Sequence, residues 1–160
     1  MNHKVEIFTD GSAKGNPGRG GYGVILRSQR KIKELCAGYR LTTNNRMELL
    51  SVIVALEALK FPGTDVTIYS DSKYVTEAVN QNWVFGWNKN NFRGKKNADL
   101  WKRFLSVYPK HNVKFVWIKG HAGHPENERC DELAVAASDL PNLLVDEGYE
   151  NSIKEEEGLF

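Results

Sequence analysis

Cysteine is scarce: the chain of 160 residues has two, Cys36 and Cys130, and no C-x-x-C pair. That argues against a disulfide-stapled module and makes a reduced, cytoplasmic compartment the default expectation. Long apolar runs are absent as well, and none approaches the ~20 residues that a bilayer requires. The opening Met-Asn-His-Lys passes straight into a strand pattern, so neither a signal peptide nor a membrane span is expected. No internal repeat or low-complexity linker divides the chain, and its length favours one domain, large enough to bury a core without staples. With 41% hydrophobic and 26% charged residues, the composition excludes collagen-like and wholly disordered chains.

Charge is present in both signs but unevenly placed. The net charge of +2 conceals six acids against Lys154 alone from Asp146 onward, leaving +7 on residues 1–145. A basic body with an acidic tail suggests a polyanionic partner without identifying one.

Alternation and β-formers predict a first strand ending at Asp10, a glycine-rich connection over 11–21, and strands over 22–27 and 32–41. Thr43 stands where a helix N-cap belongs, before a helical run from Arg46 to Lys60 that Pro62-Gly63 stops. A strand over 66–71 ends in Asp71 and leads into a helix to about Asn80; a helix over 98–108, a strand over 113–118 and a helix opening at Pro125 follow. Beyond Asp139 the pattern decays, and a mobile acidic tail is expected. Strands first, then alternating strand and helix, describe one α/β domain on a mixed sheet.

Asp10 and Asp71 each end a predicted strand, the place where open α/β sheets collect ligands, although turn and cap aspartates occur there too. Glu48 falls on the apolar face of its helix, a costly place for a carboxylate unless a cation compensates it; the competing reading is a first-turn acid on the helix dipole. Asp131, one turn into the last helix, is the fourth acid. Converging, these four would raise one another's pKa or bind a divalent cation, and hard oxygen donors suit Mg²⁺ or Mn²⁺. His121 suits a proton carrier beside such ions, whereas His124 reads as a helix cap; His121, His124 and Cys130 lack the paired spacing of a structural zinc motif. Gly18-Arg19-Gly20-Gly21-Tyr22-Gly23 satisfies G-x-G-x-x-G, but a strand follows instead of a helix, so no nucleotide cofactor is expected. Between Trp83 and Arg103, Trp83, Trp87, Phe92 and Trp101 interleave with Lys89, Arg93, Lys95, Lys96, Lys102 and Arg103 against Asp99 alone. Such a segment suits a nucleic-acid backbone, with Trp83 and Trp101 expected as core anchors.

Five segments in order complete the reading: Ile7-Phe8-Thr9-Asp10-Gly11-Ser12, Asn16-Pro17-Gly18, Thr43-Asn44-Asn45-Arg46-Met47-Glu48, Ser70-Asp71-Ser72, and the run from Lys119-Gly120-His121 to Cys130-Asp131. Together they resemble bacterial ribonuclease HI, the type 1 ribonucleases H, from residue 4 to about 140. The resemblance implies a catalytic domain over 1–140 and a tail over 141–160. It further implies a five-stranded mixed sheet, three strands antiparallel and then two parallel, flanked by helices. The implied activity is an endonuclease cutting the RNA strand of RNA–DNA hybrids to leave 5′-phosphate and 3′-hydroxyl ends. By matching positions, Asp10, Glu48, Asp71 and Asp131 would ligate metal, with Asp10 bridging two Mg²⁺ ions that Mn²⁺ can replace, and His121 would assist proton transfer or product departure. Gly11, Asn16, Thr43, Asn44, Asn45 and Lys73 would lie along the hybrid's minor groove, and Trp87, Lys89, Arg93, Lys95 and Lys96 along its backbone. The sequence departs from the family in a shorter basic protrusion with Phe92 where tryptophan is usual, in Lys73 where glutamine is common, and in Ala13 where cysteine is frequent. Another nuclease or strand-transferase on this fold, and a silent hybrid-binding module, are the rival readings. The end of the tail, Glu155 to Phe160, resembles short peptides that dock on replication sliding clamps, and a disordered tail explains it equally. A monomer is the default.

Overall fold

A computed structural model describes residues 3–29 and 31–158. Five strands form one sheet: β1 (Lys4–Lys14), β2 (Gly18–Ser28), β3 (Lys31–Thr42), β4 (Asp65–Ser70) and β5 (Asn112–Trp117). Their order is β3-β2-β1-β4-β5, antiparallel among β1, β2 and β3 and parallel from β1 through β4 to β5. The expected mixed-sheet α/β architecture is therefore present.

Alternation along the strands decides what each face covers. Ile7, Val24, Leu26, Val66 and Ile68 point to the main core, where helix α1 (Asn44–Glu57) packs with Met47, Leu50 and Ile53. The same core takes α2 (Lys73–Asn80), α3 (Trp83–Lys89) and α4 (Ala98–Val107), the last through Trp101 and Phe104, both wholly buried. Phe8 and Ile25 point the other way, onto Cys130 and Leu133 of α5 (Pro125–Ser138). Two helix starts lie as the sequence suggests, with the Thr43 hydroxyl accepting from Arg46 N at 3.2 Å and Pro125 opening α5; Ser72 Oγ in addition caps α2, accepting from Val75 N at 3.2 Å. His124 holds the N-cap position of α5, but its side chain makes no capping bond.

Four expectations are corrected. The glycine-rich stretch over 11–21 is mostly ladder, because β1 runs on to Lys14 and pairs Asp10 with Gly23 and Lys14 with Arg19. Its glycines answer a packing demand: a Cβ on Gly23 would overlap the Cys130 carbonyl, and one on the β3 residue Gly38 the Ala137 carbonyl, so α5 rests directly on the sheet backbone. Trp83 is 48% exposed and no anchor, while Phe92, expected on the basic protrusion, is buried at 3%. Phe92 has taken the inward place because the chain turns through left-handed backbone at Asn91 and Phe92 (φ 52° and 58°), which brings its ring into the main core.

The mobile tail is the fourth correction. Residues after α5 pair with the sheet edge, where Leu144 forms a parallel bridge with Tyr39, and then enter a sixth helix, α6 (Glu147–Glu157). Asp146 caps α6, accepting from Tyr149 N, and also accepts from the Thr42 hydroxyl at 2.7 Å; Arg40 and Glu150 add an ion pair at 2.8 Å. The helix buries no residue fully, so its attachment is polar and leaves no hydrophobic period to read. Leu159 and Phe160, on which the clamp-peptide likeness depends, lie outside the described residues.

The Gly38 contact makes a direct prediction. Gly38→Ala drives a methyl into the Ala137 carbonyl and should lower unfolding free energy in urea by roughly 1–3 kcal/mol. An unchanged midpoint would mean that α5 is not seated on β3 as described.

Candidate functional site

The parallel ladder between β1 and β4 ends at the pair Phe8 and Tyr69. Asp10 lies just beyond it on β1, and Asp71 follows the last residue of β4, so both aspartates flank the carboxyl end of the parallel pair although β1 itself continues. Glu48, in the second turn of α1, reaches the same point from above the sheet. Oxygen atoms of Asp10, Glu48 and Asp71 all lie within 4.8 Å of one another, the one such group of potential metal ligands among the described residues. Asp131 faces the same open cavity of about 390 Å³ from α5 without joining the three at that distance. His121 also borders the cavity, exposed on the loop after β5 and held in left-handed backbone (φ 56°).

Close approach of the backbone is what crowds the acids. A Cβ on Gly11 would overlap the Met47 carbonyl carbon and Glu48 N, so β1 touches the first turns of α1 with nothing between them. Gly120 performs a similar service on the far side, where an added Cβ would stand 2.7 Å from Asp71 Oδ2. Burial pushes the Asp10 carboxyl up to about 7, with the Asp71 charge adding to the rise and a bond shared with Glu48 pulling back. Glu48 is held well above the usual carboxylate range by burial first and then by Asp10 and Asp71. Asp71 is raised by burial, while the neighbouring His121 opposes the rise. Glu48 Oε2 is shielded from solvent and has no hydrogen-bond partner. A shielded oxygen without a donor, among acids that repel each other, fits a hard divalent cation.

The remaining predicted residues separate into two surfaces. Gly11, Asn44, Asn45 and Lys73 line the cavity beside the acids. Asn16 stands at its edge, its Oδ1 accepting from Asn44 N at 3.1 Å, while Asn44 Oδ1 accepts from Ala13 N at 2.6 Å. Thr43 is drawn inward as the cap of α1. Trp87 and the exposed Lys89, Arg93, Lys95 and Lys96 lie on α3 and the loop after it, Lys95 Nζ resting 4.9 Å from the Trp87 ring centre. Sequence reasoning missed Trp117 and Tyr74. Trp117 Nε1 donates to the Asp71 carbonyl at 3.1 Å, and its ring carries Lys73 Nζ at 5.1 Å. Its signal was available, since it ends the last parallel strand beside Asp71. Cys130 is withdrawn from any zinc reading, its thiol buried and bonded to the Phe8 carbonyl at 3.3 Å. A larger cleft of about 930 Å³ at the opposite end of the sheet, by Lys4, Arg27 and Lys114, gathers no comparable acid group.

The crowding has a thermodynamic signature in metal-free protein. Folded Asp10 keeps its proton to about 7, whereas the unfolded group releases it near the ordinary 3.8, so stability falls as pH rises between these values. Asp10→Asn should therefore raise urea stability in EDTA at pH 8 by about 2 kcal/mol and leave it nearly unchanged below pH 4. Equal stability of the two proteins at pH 8 would show that the acids are not crowded.

Against known proteins, the sequence profile described as RNase H matches residues 2–139. The chain is 54% identical over 148 residues to a ribonuclease H of Desulforamulus reducens, spanning 89% of this chain and 92% of that protein. It is 52% identical over 155 residues to a ribonuclease H of Pectobacterium atrosepticum, spanning 94% and 99%. Among solved structures, it is similar to LC9-RNase H1, a type 1 RNase H with the type 2 active-site motif, at TM-score 0.79 and 32% identity over 94% of this chain and 81% of that one. It is also similar to LC11-RNase H1, solved in complex with an RNA/DNA hybrid, at TM-score 0.64 and 27% identity over 84% and 96%. With its acids gathered at the end of the parallel strands and this likeness over nearly its whole length, the chain belongs to the ribonuclease H family of enzymes.

Proposed function

We propose that the chain is a divalent-cation-dependent endoribonuclease that hydrolyses the RNA strand of RNA–DNA hybrids and leaves 5′-phosphate and 3′-hydroxyl ends. The observation that carries this reading is the meeting of Asp10, Glu48 and Asp71 within 4.8 Å, beside an asparagine rim and a basic flank. Asp10, Glu48, Asp71 and Asp131 are the residues that would hold two Mg²⁺ ions, or Mn²⁺ in their place, with Asp10 central. Bound there, the cations supply Lewis-acid stabilisation of charge developing on the phosphodiester.

The protein's own groups do the remainder. Asp10 and Glu48 cannot both ionise comfortably without a cation, so the pair releases a proton as the site loads. His121, exposed at the mouth, would move a proton to the leaving oxygen or assist departure of the product. Asn44 and Asn16, locked to each other and to Ala13, present a rigid edge with Asn45 and the Gly11 backbone to a minor groove, where the RNA 2′-hydroxyl distinguishes the strands. Lys73, steadied on Trp117, brings a positive charge to that groove. Lys89, Arg93, Lys95 and Lys96, with Trp87, take the opposite strand's backbone and fix position without reading sequence. Such an enzyme works in the cytoplasm.

Labelled RNA–DNA hybrid, DNA duplex and RNA duplex incubated with Mg²⁺, and with EDTA as control, test the reading. Cleavage should be confined to the hybrid's RNA strand and vanish in EDTA; binding without cutting in Mg²⁺ or Mn²⁺ would make the chain a silent binding module instead. Lys95→Ala with Lys96→Ala should weaken hybrid binding at every sequence and shallow the slope of log K against log salt by roughly 2. An unchanged slope would remove both lysines from the interface.

A further inference from the structure

An arginine in the first turn of a helix adds positive charge at the positive end of the dipole, and burying it worsens the position. Arg46 is the third residue of α1 and only 3% exposed. It persists because all five of its N–H donors are matched. Nε and Nη2 donate to the two Asp146 oxygens at 2.8 and 2.9 Å; Nη1 and Nη2 donate to the two Asp99 oxygens at 2.9 and 2.7 Å; Nη1 also reaches Asn97 Oδ1 at 3.3 Å. Two side-by-side carboxylate forks on one guanidinium give a geometry that a lysine could not reproduce.

What this guanidinium joins is informative. Asn97 and Asp99 begin α4, directly after Lys95 and Lys96. Asn97 Nδ2 donates in turn to the Tyr74 hydroxyl at 3.1 Å, and Tyr74 follows Lys73 on α2 and borders the acidic cavity. Arg46 itself follows Asn44 and Asn45 and precedes Glu48 on α1. The first turns of α1 and α2, which bear proposed substrate contacts, and of α4, which opens directly after Lys95 and Lys96, are therefore tied together here. Asp146, on the segment read from sequence as a mobile tail, supplies the second fork and carries no substrate contact of its own.

We infer that Arg46 is a positioning residue, and that the C-terminal segment acts through Asp146 to hold the asparagine rim and the basic flank at the separation one hybrid duplex requires. The inference rests on the hybrid-binding reading above and assigns the C-terminal segment a role in substrate affinity.

Charge gives the test its sign. Asp99→Asn and Asp146→Asn each remove a negative charge close to a surface meant for a polyanion, so electrostatics alone would tighten binding. Loss of positioning weakens it. Arg46→Ala strips both forks from the interior and is avoided; Asp99→Asn and Asp146→Asn each lower stability, Asp99→Asn the less because its carboxylate is 48% exposed. Both full-length variants, at a temperature where urea titration shows them fully folded, are compared with the unaltered chain by fluorescence anisotropy on a labelled hybrid in EDTA. Each should bind roughly 3- to 10-fold more weakly. In Mg²⁺, KM should rise correspondingly while kcat stays within about twofold, since no group at the reacting phosphate has changed. Binding equal to or tighter than that of the unaltered chain, or a loss confined to kcat, overturns the inference. Failure of the hybrid-binding reading would appear elsewhere, as no preference for hybrid by the unaltered chain.

Discussion

The arrangement of the molecule follows from one close contact, the backbone of β1 at Gly11 laid against the Met47–Glu48 peptide of α1. Any side chain at residue 11 would separate strand from helix, and with them Asp10 from Glu48. Because the contact is backbone to backbone, it brings the two carboxylates together at a fixed depth under the lip of the sheet. The repulsion this creates is carried by the main core, where Ile7, Met47, Leu50 and Ile53 are almost wholly buried on either side of it. Packing of apolar groups thus sustains a polar cluster that would otherwise spread apart.

The sheet changes character at the same place. β1 is the strand where antiparallel pairing with β2 meets parallel pairing with β4, and the parallel ladder stops two residues before Asp10. Beyond that point β1 continues with β2 alone, leaving room on its other side for Asp71, the Gly120–His121 loop and the exposed edge of Trp117. Function and topology coincide because the acids converge at the carboxyl end of the parallel pair, where the strands open onto the cavity.

Much of this was legible in the residues. Thr43 as a cap, Glu48 out of place on an apolar helix face, and Asp71 closing a short hydrophobic strand each carry a local signature that tertiary structure did not overrule. The illegible parts have a common cause. Gly18 to Gly21 read as loop by propensity, yet they are strand, and at Gly21 the Ala134 carbonyl of α5 lies directly on the sheet backbone. Phe92 is drawn into the core by a left-handed backbone that its residue type does not favour, and Trp83 opens α3 half-exposed. In α6, stability comes from ion pairs to residues a hundred positions away, and hydrophobic periodicity has nothing to say about such partners.

That separation has a consequence for the order in which the molecule is made. Arg46 and Asp146 are 100 residues apart in the chain, so at ~5–20 residues per second on the ribosome the arginine waits roughly 5–20 s for its second carboxylate. By the end of that interval every strand and all four acids of the cavity have been synthesised, and Asp99, 53 residues after Arg46, has been available for only the second half of it. Asp146 therefore closes on Arg46 only after the entire acidic cluster has been synthesised, and on the positioning role proposed above that closure completes the substrate surface.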